Sequence, residues 1–373
     1  MINRYLDSII EGRMGQGKAI VLFGARQVGK TTMLKNLLAR RDDVLWLNGD
    51  EQDVRNLFEN VSSTMLKTII GKKSVVVIDE AQRISDIGIG IKLITDNIPD
   101  VQVLATGSSS FDLSNKINEP LTGRKLEYWM YPLSFGELVE HHGLLEEKRL
   151  LAHRLISGSY PDVINNVGDE RMILTELANS YLYKDILMFD KIKKSDKLVK
   201  LLQALAFQMG SEVSYNELAQ TCGLDPKTVE SYVTLLEQSY IIFRLGSFSR
   251  NLRNELKFAR KIYFWDCGIR NAVIGNYQML ESRLDTGALF ENYMVAERLK
   301  KLRYEKSYAK SYFWRSKLKQ EIDYIEEMDG QLAAVEFKWN PNRKAAMPLS
   351  FSRSYPDVDF KVVTRDNFET FLL

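Results

Sequence analysis

Residues 24 to 31 read Gly24-Ala25-Arg26-Gln27-Val28-Gly29-Lys30-Thr31, a loop of the form G-x-x-x-x-G-K-[ST], with Thr32 directly after it. The apolar run Ala19-Ile20-Val21-Leu22-Phe23 precedes it, and the helix-forming segment Thr32-Met33-Leu34-Lys35-Asn36-Leu37-Leu38 follows. A strand, a glycine loop and a helix in that order make a cradle for phosphate oxygens. The glycines let the backbone curl so that its N–H groups point inward, and the helix N-terminus adds the positive end of its dipole. In such a loop Lys30 reaches the outer phosphates and the Thr31 hydroxyl holds Mg²⁺. This feature constrains the fold most, because it requires a parallel α/β sheet around it.

Two further strand ends fit the same sheet. Ser74-Val75-Val76-Val77-Ile78-Asp79-Glu80 is too continuously apolar to alternate, so it reads as a strand buried on both faces. Ligands of open α/β sheets sit at the carboxyl ends of strands, which places Asp79 and Glu80 beside the loop. Asp79 is then expected in the Mg²⁺ shell, and Glu80 to orient and deprotonate an attacking water. The third strand, Val101 to Ala105, runs into Thr106-Gly107-Ser108-Ser109-Ser110. A hydroxyl at that end can sense the terminal phosphate; Ser108 is the first choice, with Thr106 close behind. Arg124, in Leu121-Thr122-Gly123-Arg124 before the strand-like Lys125 to Met130, is placed to leave its own site and enter a neighbour's. A guanidinium supplied in that way stabilises charge on the transferring phosphoryl group. It implies a homo-oligomer.

The strings GARQVGKTT, VVVIDEAQ, ATGSSS and LTGR, followed by Tyr131 to Glu137, resemble the AAA+-type ATPases of prokaryotes whose C-terminal half is a conserved domain of unknown function. Ser157-Gly158-Ser159-Tyr160-Pro161 is similar to that family's Gly-Gly-x-Pro turn, with Ser159 at the usual second glycine. The resemblance spans essentially the whole chain. It implies ATP and Mg²⁺ as cofactors.

Composition narrows the class. With 373 residues and 45% apolar content, the chain has room for two or three packed domains. No run approaches the ~18 apolar residues of a membrane-spanning helix, and Met1 to Asp7 lack the apolar block of a signal peptide. Cys222 and Cys267 are lone and lack metal-type spacing, as suits a reducing cytoplasm. His141 and His142 are adjacent in a polar segment, so a zinc site is not expected.

Net charge is only +2, yet the basic residues are segregated. Arg244, Arg250, Arg253, Lys257, Arg260 and Lys261 face the single acid Glu255; a second basic run, Lys300 to Lys319, interleaves Tyr304, Tyr308, Tyr312, Phe313 and Trp314. Such stripes neutralise phosphates and stack on bases, which suggests DNA. Leading into the first run is a winged helix-turn-helix pattern: a helix over Leu201–Met209, an N-cap at Ser214 with Glu217, a turn at Gly223, then Asp225 and Pro226 opening a second helix. Val229, Tyr232, Val233 and Leu236 form its apolar face, leaving Lys227, Thr228, Ser231 and Thr234 outward for phosphates and base edges. Ile241 to Leu245 would be the first wing strand.

The C-terminal block opens on a helix bearing Glu291 and ends in two strands joined at Asp329-Gly330, a two-residue hairpin signal. That turn sets Asp323 opposite Glu336, with Lys338 on the same face and Ile322, Tyr324, Val335 and Phe337 on the other. Two opposed carboxylates repel unless a cation lies between them. The pattern resembles the PD-(D/E)xK nuclease superfamily, with Ile322 where a proline is usual. By that resemblance Asp323, Glu336 and Glu291 would bind Mg²⁺, and Lys338 would activate water or steady the phosphate. A salt-bridged hairpin, in which Lys338 simply pairs Glu336, is the competing reading.

The expected architecture is α/β: a P-loop ATPase with a parallel sheet over 1–140, a helical connector over 141–198, a winged helix-turn-helix over 199–262, and a small α/β restriction-endonuclease-like domain over 263–373. Two functions fit it. One is an ATPase coupled to DNA binding or processing, with a C-terminal metal-dependent nuclease. The other is a nucleotide-dependent switch whose C-terminal half binds without chemistry.

Overall fold

Five short runs in the first 131 residues form one parallel sheet: β1 (Ala19–Gly24), β2 (Val44–Asn48), β3 (Val75–Asp79), β4 (Gln102–Gly107) and β5 (Lys125–Met130), in the order β2-β3-β4-β1-β5. The computed structural model describes residues 2–108, 110–187, 195–249, 260–316 and 318–373. Every residue of β1 and β4 is buried, as are Val75 to Ile78 of β3, which is why these strands are apolar on both faces. Because β4 lies between β1 and β3, their carboxyl ends meet at Gly24, Asp79 and Thr106. β4 runs two residues further than its apolar core, so Thr106 belongs to the strand itself.

Arg124 lies at the opposite end of this sheet. Lys125 pairs with Ala19 and Met130 with Gly24, so five residues of strand, on the order of 17 Å, separate Arg124 from the level of the glycine loop.

The chain divides into two compact units: Met1–Tyr131 with Gln238–Tyr240, and Pro132–Glu237 with Ile241–Leu373. In the second unit, the helices Phe135–His142, Leu144–Arg149, Leu151–Ser157, Pro161–Asn165 and Glu170–Leu187 come first. Ser134 caps the first of them, exchanging bonds with Glu137. That helix runs through position 140, where the sequence suggests a boundary.

Then come the helices Ser195–Phe207, Tyr215–Cys222 and Pro226–Gln238, with β6 (Glu212–Val213) before the second and β7 (Ile242–Ser247) and β8 (Arg260–Phe264) after the third. β8 pairs antiparallel with both β6 and β7, which is the winged-helix arrangement. Ser214 accepts from the Glu217 N–H and Asp225 from the Thr228 N–H, so the expected caps start both helices. Val229, Tyr232, Val233 and Leu236 are buried. Lys227 and Ser231 are exposed, and Thr228 and Thr234 partly so.

The wing continues into the C-terminal lobe. β9 (Lys310–Arg315), β10 (Glu321–Met328), β11 (Gln331–Lys338) and β12 (Asp359–Thr364) extend it to seven strands, in the order β12-β11-β10-β9-β7-β8-β6. β7 and β9 are parallel, so position 262 lies inside β8 of a shared sheet rather than between two domains.

The aromatics of the second basic run fill this lobe. Phe313 and Tyr304 are buried, while Tyr312 and Trp314 pack on a cluster of Phe248, Ile322, Ile325, Ala334, Phe351 and Tyr355; Tyr308 is 93% exposed. The expected stacking stripe is therefore mostly core packing. β9 is covered on both faces: alternation sends Tyr312 and Trp314 to one cluster and buries Phe313 on the other side. Lys300 and Lys261 are buried too. Arg250, Arg253 and Lys257 lie outside the described residues.

The Ser157-to-Pro161 turn has a packing reason. Asp266, which caps the helix Cys267–Ile274, accepts from the N–H groups of Ile269 (3.0 Å) and Ser159 (2.7 Å). Gly158 has φ +71°, and a Cβ there would stand 2.1 Å from an Asp266 carboxylate oxygen. Only the N–H of Ser159 is used in that bond, so a serine serves as well as a glycine. Gly158→Ala should therefore lower the unfolding free energy by about 2–4 kcal/mol. Ser159→Gly should cost under about 1 kcal/mol. Urea unfolding of both variants checks this; equal losses would remove the Asp266 contact as the cause.

Candidate functional site

Gly29 takes φ +95° as the N-cap of the helix Lys30–Leu37, a conformation that side chains resist, and it turns the loop into the helix. Ala25 and Val28 are buried, Arg26 and Gly29 partly so, and Gln27 is exposed. The Lys30 ammonium donates to the carbonyls of Gly24 (2.8 Å) and Ala25 (2.7 Å), folded into its own loop. Arg4, which no motif marks, braces the loop from outside by donating to the carbonyls of Val28 (2.7 Å) and Tyr131 (2.6 Å).

Three elements meet on the Asp79 carboxylate. The Thr31 hydroxyl donates to it at 2.8 and 3.1 Å, and the Thr106 hydroxyl at 2.5 Å. Thr106 in turn accepts from the Glu80 N–H at 3.1 Å. Glu80 sits in the left-handed region, φ 49° and ψ 41°, where it turns the chain out of β3 into the short helix Ala81–Arg83. Its Oε2 accepts from Gln82 Nε2 (2.5 Å) and from the Ser108 hydroxyl (3.4 Å). Gln82 Nε2 also donates to Ser108 Oγ at 3.0 Å.

The structure thus gathers Lys30, Thr31, Asp79, Glu80, Thr106 and Ser108 at one end of the sheet, and leaves Arg124 outside. Arg124 Nε pairs with Asp96 at 2.6 Å, both side chains partly exposed. The oxygen donors of Thr31 and Asp79 beside the loop fit a hard divalent cation such as Mg²⁺.

The second cluster lies in the C-terminal lobe. β10 and β11 pair Tyr324 with Val335 and Met328 with Gln331, the register that the Asp329-Gly330 turn dictates. At the next step the Asp323 carboxylate accepts from the Phe337 N–H at 2.9 Å. A bulge between Ile322 and Ile325 against β9 turns Ile322 into the cluster with Ile325 and Ala334, not toward Tyr324, Val335 and Phe337 as simple alternation predicts. Lys338 Nζ bridges Glu336 (2.5 Å) and Asp323 (3.6 Å). Glu291, on the helix Thr286–Tyr304, accepts from Lys261 (2.9 Å) and the Tyr263 hydroxyl (2.6 Å), and Lys261 also pairs with Glu321.

Electrostatics follow from these contacts. Burial pushes Glu291 up to about 7; Lys261 opposes that shift and Asp323 adds to it. Burial and the Asp323 charge raise Glu336, against the pull of Lys338. Burial works to lower Lys261, but Glu291, Glu321 and Asp323 outweigh it and hold the ammonium charged. Lysines therefore supply the compensating charge among Glu291, Asp323, Glu336 and Glu321. Among the described residues no three His, Cys, Asp or Glu side chains stand together as a metal site requires. As placed, the cluster does not fit a metal. Lys261, Tyr263 and Glu321 escape sequence reasoning because they come from a distant strand and a neighbouring position; the one signal is Lys261 and Tyr263 two apart on the same strand face.

Comparison with known proteins agrees with this fold and loop. Residues 16–139 match the AAA domain family, 148–279 a domain of unknown function (DUF8612), and 286–370 another (DUF4143). The chain carries an AAA-type P-loop ATPase domain followed by two C-terminal domains of unknown function. It is similar to an uncharacterized protein of Methanocaldococcus jannaschii, 23% identical over 66% of this chain and 60% of that one. An uncharacterized protein of Haemophilus influenzae is 25% identical over 68% and 69%. A Walker-type ATPase of Pyrococcus abyssi shares the fold, with a TM-score of 0.51 at 14% identity over 74% of this chain and 96% of that one. Among the described residues no helix is long and apolar enough to cross a membrane.

The Glu291 environment has a pH consequence. With its folded value near 7 against an ordinary 4.5, the folded protein holds that proton more tightly than the unfolded chain. Its contribution to stability is then fully present below about pH 4.5 and is lost as pH rises through 7, by at most about 3 kcal/mol. Glu291→Gln should gain on the wild type between pH 5 and 8 in urea unfolding. Parallel stability curves would rule out Glu291 as the titrating group.

Proposed function

We propose that the N-terminal unit binds and hydrolyses ATP. The observation that carries this is the bond chain Thr31–Asp79–Thr106–Glu80, which ties the glycine loop to the carboxyl ends of β3 and β4. The loop N–H groups, Lys30 and Thr32 bind the phosphates, and Thr31 with Asp79 would hold Mg²⁺, which neutralises phosphate charge when bound. Glu80 orients the attacking water and takes its proton. Ser108 contacts the terminal phosphate. Arg124, a strand length from its own loop, acts on the site of a neighbouring copy in a homo-oligomer.

For the C-terminal half we favour binding over cutting, with DNA as the ligand met by Lys227, Thr228, Ser231 and Thr234. Lys261 and Lys338 already compensate the carboxylates that a nuclease would turn toward a metal. ATP turnover would then switch binding rather than drive strand cleavage.

Lys30→Ala should abolish nucleotide binding, whereas Glu80→Gln should bind normally and lose turnover. A Glu80→Gln protein with full phosphate release would remove Glu80 from the mechanism. Mixing Arg124→Ala with Lys30→Ala chains should restore turnover, since each supplies what the other lacks; no recovery at any concentration would leave Arg124 a surface residue.

With Mg²⁺ and ATP, the protein should retard duplex DNA on a gel without breaking strands, and Lys227→Glu should weaken that binding about tenfold. Strand breaks that disappear in Asp323→Ala would reinstate the nuclease reading.

A further inference from the structure

We infer that Gln82 is a positioning residue for Glu80, coupling it to Ser108 at the terminal-phosphate end of the site; this rests on the ATPase reading above. Gln82 is 8% exposed. Its amide nitrogen has two hydrogens, and both are used: one toward Glu80 Oε2 at 2.5 Å, the other toward Ser108 Oγ at 3.0 Å. The opposite orientation of the amide would set its oxygen against the Glu80 carboxylate, so these contacts fix which atom is nitrogen.

Two other observations show that the side chain is held on purpose. Among the described residues its Oε1 is buried without a hydrogen-bond partner. Such an acceptor is a standing cost, tolerated where the other end of the group is strongly engaged, and such costs gather at functional sites. Its backbone is also pinned, since Lys116 Nζ donates to the carbonyls of Gln82 (2.6 Å) and Ile84 (3.0 Å). Gly107 leaves the necessary space: a Cβ there would come within 3.2 Å of Gln82 Oε1 and 2.6 Å of Leu113.

The consequence is mechanical. Ser108 follows β4 and Glu80 follows β3; they touch directly at 3.4 Å, and Gln82 is bonded to both. A phosphate that draws on the Ser108 hydroxyl changes what Ser108 offers Gln82, and Gln82 passes the change to the carboxylate. Glu80 is thereby brought to its working position as the terminal phosphate is seated.

The test is a kinetic cycle on the full-length protein. Gln82→Met keeps the shape and removes the amide; it should bind a fluorescent ATP analogue as the wild type does. Its kcat should fall roughly ten- to hundredfold with KM nearly unchanged, the scale of a misplaced catalytic group. Ser108→Ala should lose a similar factor, and the double variant no more than either alone, because both break one linkage. Wild-type kcat in Gln82→Met, or losses that multiply in the double variant, would overturn the inference. Analogue binding reports that each variant is folded, and Gln82→Asn, which keeps the amide on a shorter stem, should recover part of the lost rate if Gln82→Met does not bind. No ATP turnover by the wild-type protein would instead sink the ATPase reading itself, so the two failures are distinguishable.

Discussion

The Asp79 carboxylate is the point on which the N-terminal unit depends. A charge at the end of a buried strand needs compensation, and here two hydroxyls, Thr31 and Thr106, supply it from two other elements. That single group therefore fixes the helix after the glycine loop against β3 and β4. The strand order makes this possible. With β4 between β1 and β3, the three carboxyl ends are neighbours, and polar side chains placed there meet without any further device. The left-handed Glu80 follows from the same geometry, since its N–H is already spent on Thr106 and the chain must turn sharply to bring its side chain back.

The C-terminal lobe solves a similar problem by different means. Four carboxylates, Glu291, Glu321, Asp323 and Glu336, converge with two ammonium groups, and Lys261 is buried among them. Hydroxyls around a carboxylate leave its charge for an incoming cation to meet. Lysines cancel it. Removing either lysine would leave like charges opposed across a low-dielectric sheet, so these residues hold the hairpin in register as much as its turn does. The same network shares Glu291 between Lys261 and Tyr263, while burial pushes its carboxyl up to about 7.

How much of this is legible in the sequence depends on the range of the interaction. The glycine loop, β3, β5 and the winged-helix caps are local, and the run of residues alone gives them. The Asp329-Gly330 hairpin is nearly so, and its register follows from one turn. What does not follow is anything that a distant strand decides. The bulge against β9 moves Ile322 to the other cluster, and the inward turn of Tyr312, Phe313 and Trp314 converts a stripe that reads as nucleic-acid contact into core. Lys261 is the sharpest case. In sequence it belongs to a basic run, while in the fold it is the buried partner of Glu291, because β8 is shared between the wing and the larger sheet. Long-range strand pairing carries no local signature, so charge runs beside β-strands are poor guides to a surface.

Arg124 shows what the sheet geometry itself decides. Its place before β5 sets it at the amino end of the strands, while every phosphate-facing group lies at the carboxyl end. No side-chain rotation covers that distance, since an extended arginine reaches less than half of it. The pair with Asp96 does not anchor it strongly, because partly exposed ion pairs contribute little in water. The strand geometry thus withholds the arginine from its own loop, and under the proposal that it serves a second copy, a phosphate's greater charge there would outcompete that carboxylate.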